Sequence, residues 1–155
     1  MNRELRHGGD ARSAETISFS DTDPETPMND TRFPKLQREP VLEEKLPAAN
    51  PPVRLVKGAR IRFAPGQPTG LHRHPVSTCG VVTQGSFTFQ VEGEAPRRLE
   101  TGDGFFEPAR RTILQFDNAS NSEPAEIVCY YLADTSDRPA IEMLEGGMDS
   151  QLGQH

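Results

Sequence analysis

Cysteine and tryptophan are almost missing from this sequence of 155 residues, which has two cysteines and no tryptophan. Cys79 and Cys129 cannot by themselves build a disulfide framework or a thiolate zinc site, so both kinds of scaffold are excluded. Each cysteine lies in an apolar run, where the side chain most often acts as a small buried hydrophobe. We therefore expect both thiols to be reduced and to pack as apolar groups.

The chain also lacks an excess of positive charge and any long hydrophobic run. Its formal net charge is −6, and the sequence contains no cluster of Lys and Arg that could bind a series of phosphates. No stretch approaches the roughly 20 apolar residues that span a bilayer, and the amino terminus lacks the apolar segment of a secretory signal. Neither nucleic-acid binding nor membrane association is expected, and the cytoplasm is the expected location.

Regular periodicity is absent from both ends of the sequence. Residues 1–51 are polar, contain several prolines and show neither helical nor strand periodicity, which is typical of a flexible, disordered N-terminal arm. Met28 lies within this arm and offers a second start of translation. Residues 145–155 are rich in Gly, Asp, Ser and Gln and are interpreted as a C-terminal tail.

Residues 52–144 contain short apolar segments separated by Gly, Pro, Asp and Asn, a pattern that predicts an all-β sandwich or barrel. The segment 87–91 alternates strictly, which places Phe87, Phe89 and Val91 on one buried face of a strand. The segment 127–132 is apolar or aromatic on both faces and must be covered on both sides. A second subunit could supply part of that cover.

His72 and His74 are the first candidates for a functional site. One residue separates them, so in an extended segment they project to the same face, about 7 Å apart at Cα. Neutral imidazole is a common ligand of iron, manganese, nickel and zinc. The pair predicts a weakly held divalent metal, although a His-x-His pattern alone is also found at ordinary sheet edges.

The spacing around this pair resembles a known motif. Gly66, His72, His74 and Gly85 fall in the frame of the first conserved motif of the cupin family, and Gly102, Pro108 and Asn118 resemble the second. The resemblance covers about ninety residues and implies a double-stranded β-helix, also called a jelly-roll barrel. The resemblance to small cupins also implies a homodimer.

The resemblance implies a metal set of three histidines and one glutamate, from which this sequence departs at two positions. Thr78 stands where the family has its glutamate, and Ile113 stands where it has its third histidine. Gln115, two residues after Ile113, is expected on the same inward face and is a candidate replacement ligand. Cys79 is a weaker candidate, because a regular strand would direct its sulfur away from Thr78 and out of the pocket.

Three charged residues near the second motif are further candidates. Arg110 occupies a position where the family has a glycine, so the turn after Pro108 must adopt a different backbone or carry strain. With Arg111 it could capture a carboxylate or phosphate of a ligand, or simply form a solvated loop. Glu107 either faces inward, as an acid–base group or as the carboxylate that fills the vacancy at Thr78, or pairs with a surface arginine.

These observations leave three functional hypotheses. The first is a cupin that binds a small molecule in a pocket lined by Thr78, Ile113, Gln115 and Arg111, with or without a divalent metal at His72 and His74. The second is a metal-dependent oxygenase or isomerase of a small organic acid. The third is a non-catalytic regulatory protein or dimer scaffold. Serine-hydrolase, P-loop and dinucleotide-binding motifs are absent from the sequence.

Overall fold

The structure is a computed structural model that describes residues 33–144. The strands are β1 (Leu55–Phe63), β2 (His72–Arg73), β3 (Thr78–Gln84), β4 (Ser86–Val91), β5 (Arg97–Glu100), β6 (Gly104–Glu107), β7 (Thr112–Asn118), β8 (Ala125–Ala133) and β9 (Glu142–Met143). The described part of the chain contains no helix, and so none that could span a membrane. The all-β prediction is confirmed.

The strands form two antiparallel sheets, ordered β1-β8-β3-β6 and β5-β4-β7-β2-β9. β8 pairs along its full length with β1 and joins β1 to β3, so it is a central strand. Its inward face, with Ile127 and Cys129, is buried, whereas Tyr130 on the other face is 45% exposed, so this chain by itself covers one face of the segment and not both. Short β2 lies between β7 and β9 in the other sheet. The two sheets together enclose the buried core and the cavity described below.

The core is built from phenylalanines that alternate along their strands. Phe87, Phe89 and Val91 of β4 are all buried, as the alternation predicts. Phe116 of β7 makes edge-to-face contacts with Phe87, Phe89 and Phe105, whose ring centroids lie 4.8–5.2 Å from its own. Such aromatic contacts each add about 0.5–1.5 kcal/mol beyond the area that they bury. They hold β7 against β4 and β6, and so fix the position of Phe116, which lines the cavity described below.

The predicted boundaries at residues 51 and 144 concern segments that the structure describes only in part. Residues 1–32 of the predicted arm, with Met28, and residues 145–155 of the predicted tail lie outside the described residues. A compact unit begins at Arg38. Within it, Asn50 accepts a hydrogen bond from the Ser77 backbone N–H at 2.6 Å, and the Val41 carbonyl leaves no room for a Cβ at Gly104. The segment 38–50 therefore packs against β3 and β6.

Candidate metal centre

β2 and the residue that follows it carry the two histidines into the interior. His72 and His74 are 1% and 5% exposed, and their ring centroids lie 5.2 Å apart. Arg73, between them, points the other way and pairs with Glu142 of β9 at 2.7 Å. The backbone of His74 is held from the other side, because the Arg110 N–H donates to its carbonyl at 2.8 Å. The predicted convergence of the two imidazoles is therefore found in the structure.

Backbone carbonyls fix the orientation of both imidazole rings. His72 Nδ1 lies 2.7 Å from the Gly70 carbonyl, and His74 Nδ1 lies 2.5 Å from the Ala140 carbonyl. A carbonyl can only accept a hydrogen bond, so each Nδ1 carries a proton. In the neutral rings both Nε2 atoms then hold a lone pair, and both face the cavity.

Glu107 completes the group from β6, where it is 4% exposed. Its Oε1 lies 3.3 Å from His72 Nε2, and its Oε2 lies 3.2 Å from His74 Nε2. The ligand atoms of the three residues lie within 4.8 Å of one another. Glu107 is paired directly with Thr78 across β3 and β6. Position 78 on β3 thus lacks a carboxylate, and Glu107 on the neighbouring strand β6 supplies one instead.

The neighbouring charges shift the pKa values of this group. Burial alone would lower the pKa of His74, but the hydrogen bond to Glu107 and its negative charge raise it overall. Burial alone would raise the pKa of Glu107, but hydrogen bonds from the two histidines, and their charge, lower it overall. Each shift favours the ionised form of the residue.

These contacts need either protons or a metal ion between the three residues. A carboxylate oxygen and an unprotonated Nε2 are both acceptors and repel each other at 3.2–3.3 Å unless a proton or a metal ion lies between them. Two imidazole nitrogens and one carboxylate form a ligand set that first-row divalent metals accept. Backbone hydrogen bonds at Nδ1 are also the usual second contact of metal-bound histidine. The residues present therefore fit a divalent metal.

The cavity beside this group has a volume of about 220 Å³. One end is formed by the two histidines, Glu107 and Thr78. The remaining wall is mainly apolar and includes Ile61, Phe63, Phe116, Ile127 and Ile141. Such a cavity, with a few polar groups at one end, has the usual form of a small-molecule site.

Gln115 does not reach this cavity. It pairs with Gln90, but the next pair is Ile113 with Val91, so an irregularity in β7 falls between the two residues. An extra residue in a strand reverses the side-chain alternation beyond it. As a result Gln115 is half-buried outside the cavity, and Phe116 takes the inward position that the alternation assigns to Gln115. Ile113 is fully buried in the hydrophobic core and is not among the cavity residues.

The two cysteines have different positions. Cys79 follows Thr78 on the regular part of β3, is half-exposed and does not line the cavity, so the structure gives it no place beside the histidines. Cys129 of β8 does line the cavity. Both thiols are free, and burial raises the pKa of each.

Arg111 lies at a different groove, with Glu44, Lys45 and Glu94 among the groove's other residues. Its guanidinium donates to the Glu92 carbonyl and lies 3.8 Å from the Glu94 carboxylate, so the prediction that it lines the histidine pocket is not met. Arg110 has a φ of 64°, as expected where a non-glycine residue replaces a turn glycine. The left-handed turn at Arg110 brings its N–H to the His74 carbonyl.

Two contributors to the cavity could not be assigned from the sequence. Glu107 was one of several candidates for the vacancy at Thr78, and no local pattern reveals that β3 and β6 pair at positions 78 and 107. Tyr131 lies in the segment for which a second subunit was considered as cover, whereas it lines the cavity beside His74, with ring centroids 5.8 Å apart. Burial raises the pKa of Tyr131 well above its usual range. The sequence signal for Tyr131 was the alternation along β8, which places residues 127, 129 and 131 on the same face of the strand.

The two antiparallel sheets form a barrel whose cavity has two histidines and a carboxylate buried at one end. Fold and site together define a class, the β-barrel proteins with a candidate metal centre. Within that class, residues 59–131 match the family model described as the cupin domain. The barrel is therefore a cupin domain. No curated protein matches the sequence.

Solved structures of similar fold include two crystal structures of DMSP lyases. One, from work on RdDddP and RnDddQII, has 17% identity and a TM-score of 0.51, covering 59% of this chain and 45% of that chain. DddQ from Ruegeria pomeroyi DSS-3 has 22% identity and a TM-score of 0.49, and the match covers 57% of this chain and 42% of the DddQ chain. An RmlC-like cupin from Shewanella frigidimarina has 23% identity and a TM-score of 0.43, covering 51% and 68%. This chain thus spans less than half of the two lyase chains, and the likeness concerns the fold.

Proposed function

We propose that this protein is a metal-dependent cupin that holds a divalent ion at His72, His74 and Glu107 and binds a small organic molecule beside it. One observation carries the proposal: three electron-pair donors converge within 4.8 Å while both histidine Nδ1 protons are committed to backbone carbonyls. Two histidines and one carboxylate leave coordination positions open, and this set is characteristic of non-haem iron(II) oxygenases. Iron(II) is accordingly the ion we propose.

The protein's own residues have distinct parts in this proposal. A bound divalent ion would act as a Lewis acid that polarises an oxygen atom of the ligand. Glu107 supplies the negative charge that offsets the ion, and the carbonyls of Gly70 and Ala140 orient the two imidazoles. The apolar wall limits the access of water to the ligand.

A second candidate, binding without catalysis, has an observation in its favour. The ionisable residues that line the cavity are the three prospective ligands and two groups with raised pKa values, Cys129 and Tyr131. At neutral pH, therefore, no spare carboxylate or imidazole among the described cavity residues is available as a general base. A reaction here would depend on the metal and the substrate themselves.

The first experiment is metal analysis of protein purified without an affinity tag or chelator, then reconstituted anaerobically with Fe(II), Mn(II), Ni(II) or Zn(II). Near one equivalent of metal should be retained by the wild type and lost in the His72→Ala, His74→Ala double variant. Glu123→Gln, which alters an exposed carboxylate outside the site, is the matched control and should retain the metal. Retention no higher in the wild type than in the double variant would overturn the metal proposal.

Turnover separates the enzyme from the binding protein. Oxygen uptake by the iron-loaded wild type in the presence of small organic acids, absent from the double variant, would support an oxygenase. A full equivalent of metal with ligand binding but no turnover of any acid offered would support the non-catalytic reading.

A further inference from the structure

The cavity contains a polar atom that the fold does not satisfy. Thr78 is 1% exposed, and its Oγ1 is the buried side-chain oxygen or nitrogen without a hydrogen-bond partner in the described part of the chain. Buried hydroxyl groups nearly always have a partner, so each exception calls for an explanation. Since Thr78 also lines the cavity, a molecule bound there could supply that partner.

The position of Thr78 places this hydroxyl beside the candidate metal centre. Thr78 pairs with Glu107 on one side and with Tyr131 on the other, and all three residues line the cavity. Directly paired residues on one face of a sheet have Cβ atoms about 4.5–5.5 Å apart. A ligand group that reaches the open positions of a metal at Glu107 would therefore also come within reach of the Thr78 hydroxyl.

The rest of the cavity selects for an apolar body. Its wall away from the histidines is formed mainly by isoleucine and phenylalanine side chains, and no lysine or arginine of the described residues lines it. A second carboxylate or phosphate that lay against this wall would therefore be buried without a cationic partner, which is strongly unfavourable. The ligand should carry its negative charge at one end only.

The cavity volume limits the size of the ligand. A cavity of roughly 150 Å³ holds benzene, so about 220 Å³ accommodates up to roughly nine non-hydrogen atoms by simple scaling. Benzoate has about this size and combines a flat apolar ring with one two-oxygen head. Succinate has a similar size but carries a carboxylate at each end.

The geometry points to a small apolar monocarboxylate as the ligand, with one carboxylate oxygen directed to the metal and the other accepting a hydrogen bond from the Thr78 hydroxyl. Thr78 is then a specificity-determining residue of the site, in a position where the family resemblance implies a metal ligand. This inference rests on the proposed metal-dependent function and adds the chemical class of the ligand.

Isothermal titration calorimetry on the zinc-loaded protein tests the inference, with benzoate and succinate as the two probes. The metal content of each sample is measured first, so that loss of metal, which contradicts the proposed function, is distinguished from loss of ligand binding. Benzoate should bind at least about tenfold more tightly than succinate, because only succinate leaves a charge unpaired against the apolar wall. Equal or tighter binding of succinate would overturn the assigned ligand class.

Two variants test the role of Thr78. Thr78→Val keeps the side-chain size but removes the hydroxyl, and it should retain one equivalent of zinc while binding benzoate about 3- to 10-fold more weakly. Thr78→Ser restores a hydroxyl and should bind benzoate within about twofold of the wild type. The thermal midpoint of the ligand-free Thr78→Val protein should not fall, because the substitution removes an unpartnered buried oxygen. Unchanged benzoate affinity in zinc-loaded Thr78→Val would overturn the assignment of Thr78 as a ligand contact.

Discussion

The charge balance of the site depends on one residue, Glu107. Its carboxylate lies 3.2–3.3 Å from both imidazoles, and no other carboxylate lines the described cavity. The two histidines bring no negative charge of their own, so a divalent ion held by them alone would be a buried charge without compensation. We therefore expect the metal affinity to depend on Glu107 as strongly as on the histidines.

The substitution Glu107→Gln tests this dependence. Gln keeps the shape of the side chain but removes its charge and replaces one oxygen with an NH2 group, which cannot ligate. Metal affinity, measured by competition with a chelator of known affinity, should fall at least about 100-fold, since even outer contacts of metal ligands are worth about 10- to 100-fold. Glu123→Gln should leave the affinity unchanged. An affinity within about twofold of the wild type in Glu107→Gln would show that the carboxylate is not a ligand.

The thiols allow a second test at the residue level. Cys129 is 2% exposed, and burial raises its pKa, so little thiolate is present at neutral pH. Cys79 is half-exposed, although burial raises its pKa as well. In native protein, iodoacetamide should label Cys79 slowly and Cys129 only after unfolding in urea, as measured by peptide mass spectrometry. Labelling of native Cys129 at the rate seen in urea would contradict its position in the cavity wall.

At the level of elements, strands could be predicted from local patterns, whereas their partners could not. The alternation of Phe87, Phe89 and Val91 is a property of one strand, and the same-face geometry of His72 and His74 requires only two extended residues. The pairing of position 78 with position 107 depends on the register of two separate strands. For that reason the vacancy at Thr78 could be recognised from the sequence and Glu107 could be named as one candidate for it, but the choice among the candidates required the fold.

The misplacement of Gln115 has a similar cause. Strict alternation assigns it to the face of Ile113, but β7 is irregular between their partners Gln90 and Val91. Packing supplies a physical reason, because the irregularity turns Phe116 inward, where it contacts Phe105 and Phe89. A bulge of this kind depends on the partner strand and the core, and no local turn signal precedes it in the sequence.

The close approach of three strands at Gly80 gives a prediction for an element. A Cβ at Gly80 would overlap the Val128 carbonyl oxygen and lie 2.5 Å from the Phe105 ring, so Gly80→Ala must displace backbone. We expect it to lower the free energy of unfolding by about 1–3 kcal/mol or more, measured by urea denaturation.

Gly58→Ala is the matched control for Gly80→Ala, because its Cβ would meet only the half-exposed ring of Tyr130, at 3.1 Å. That ring can shift, and Ala lowers the entropy of the unfolded chain. The control should therefore change the free energy of unfolding by less than about 1 kcal/mol in either direction. A Gly80→Ala protein as stable as the Gly58→Ala protein would contradict the described contact of β3 with β6 and β8.

At the level of the whole molecule, the metal site joins parts of the chain that are distant in sequence. Its residues and their supports come from β2, β6 and the segment before β9, where the Ala140 carbonyl orients His74 and Ile141 closes the cavity. These segments are brought together only in the folded barrel. A metal that binds the folded protein and not the unfolded chain must therefore stabilise the whole domain.

Metal-dependent stability follows as a prediction for the intact protein. At a free metal concentration about 100 times the dissociation constant, the free energy of unfolding should rise by about 2.7 kcal/mol. For a barrel of this size that corresponds to roughly 10 °C in the thermal midpoint, measured by calorimetry with and without excess chelator. The His72→Ala, His74→Ala double variant should show almost no difference between the two conditions. An equal rise in the double variant would mean that the ion binds elsewhere on the surface and that the three buried donors are held together by protons alone.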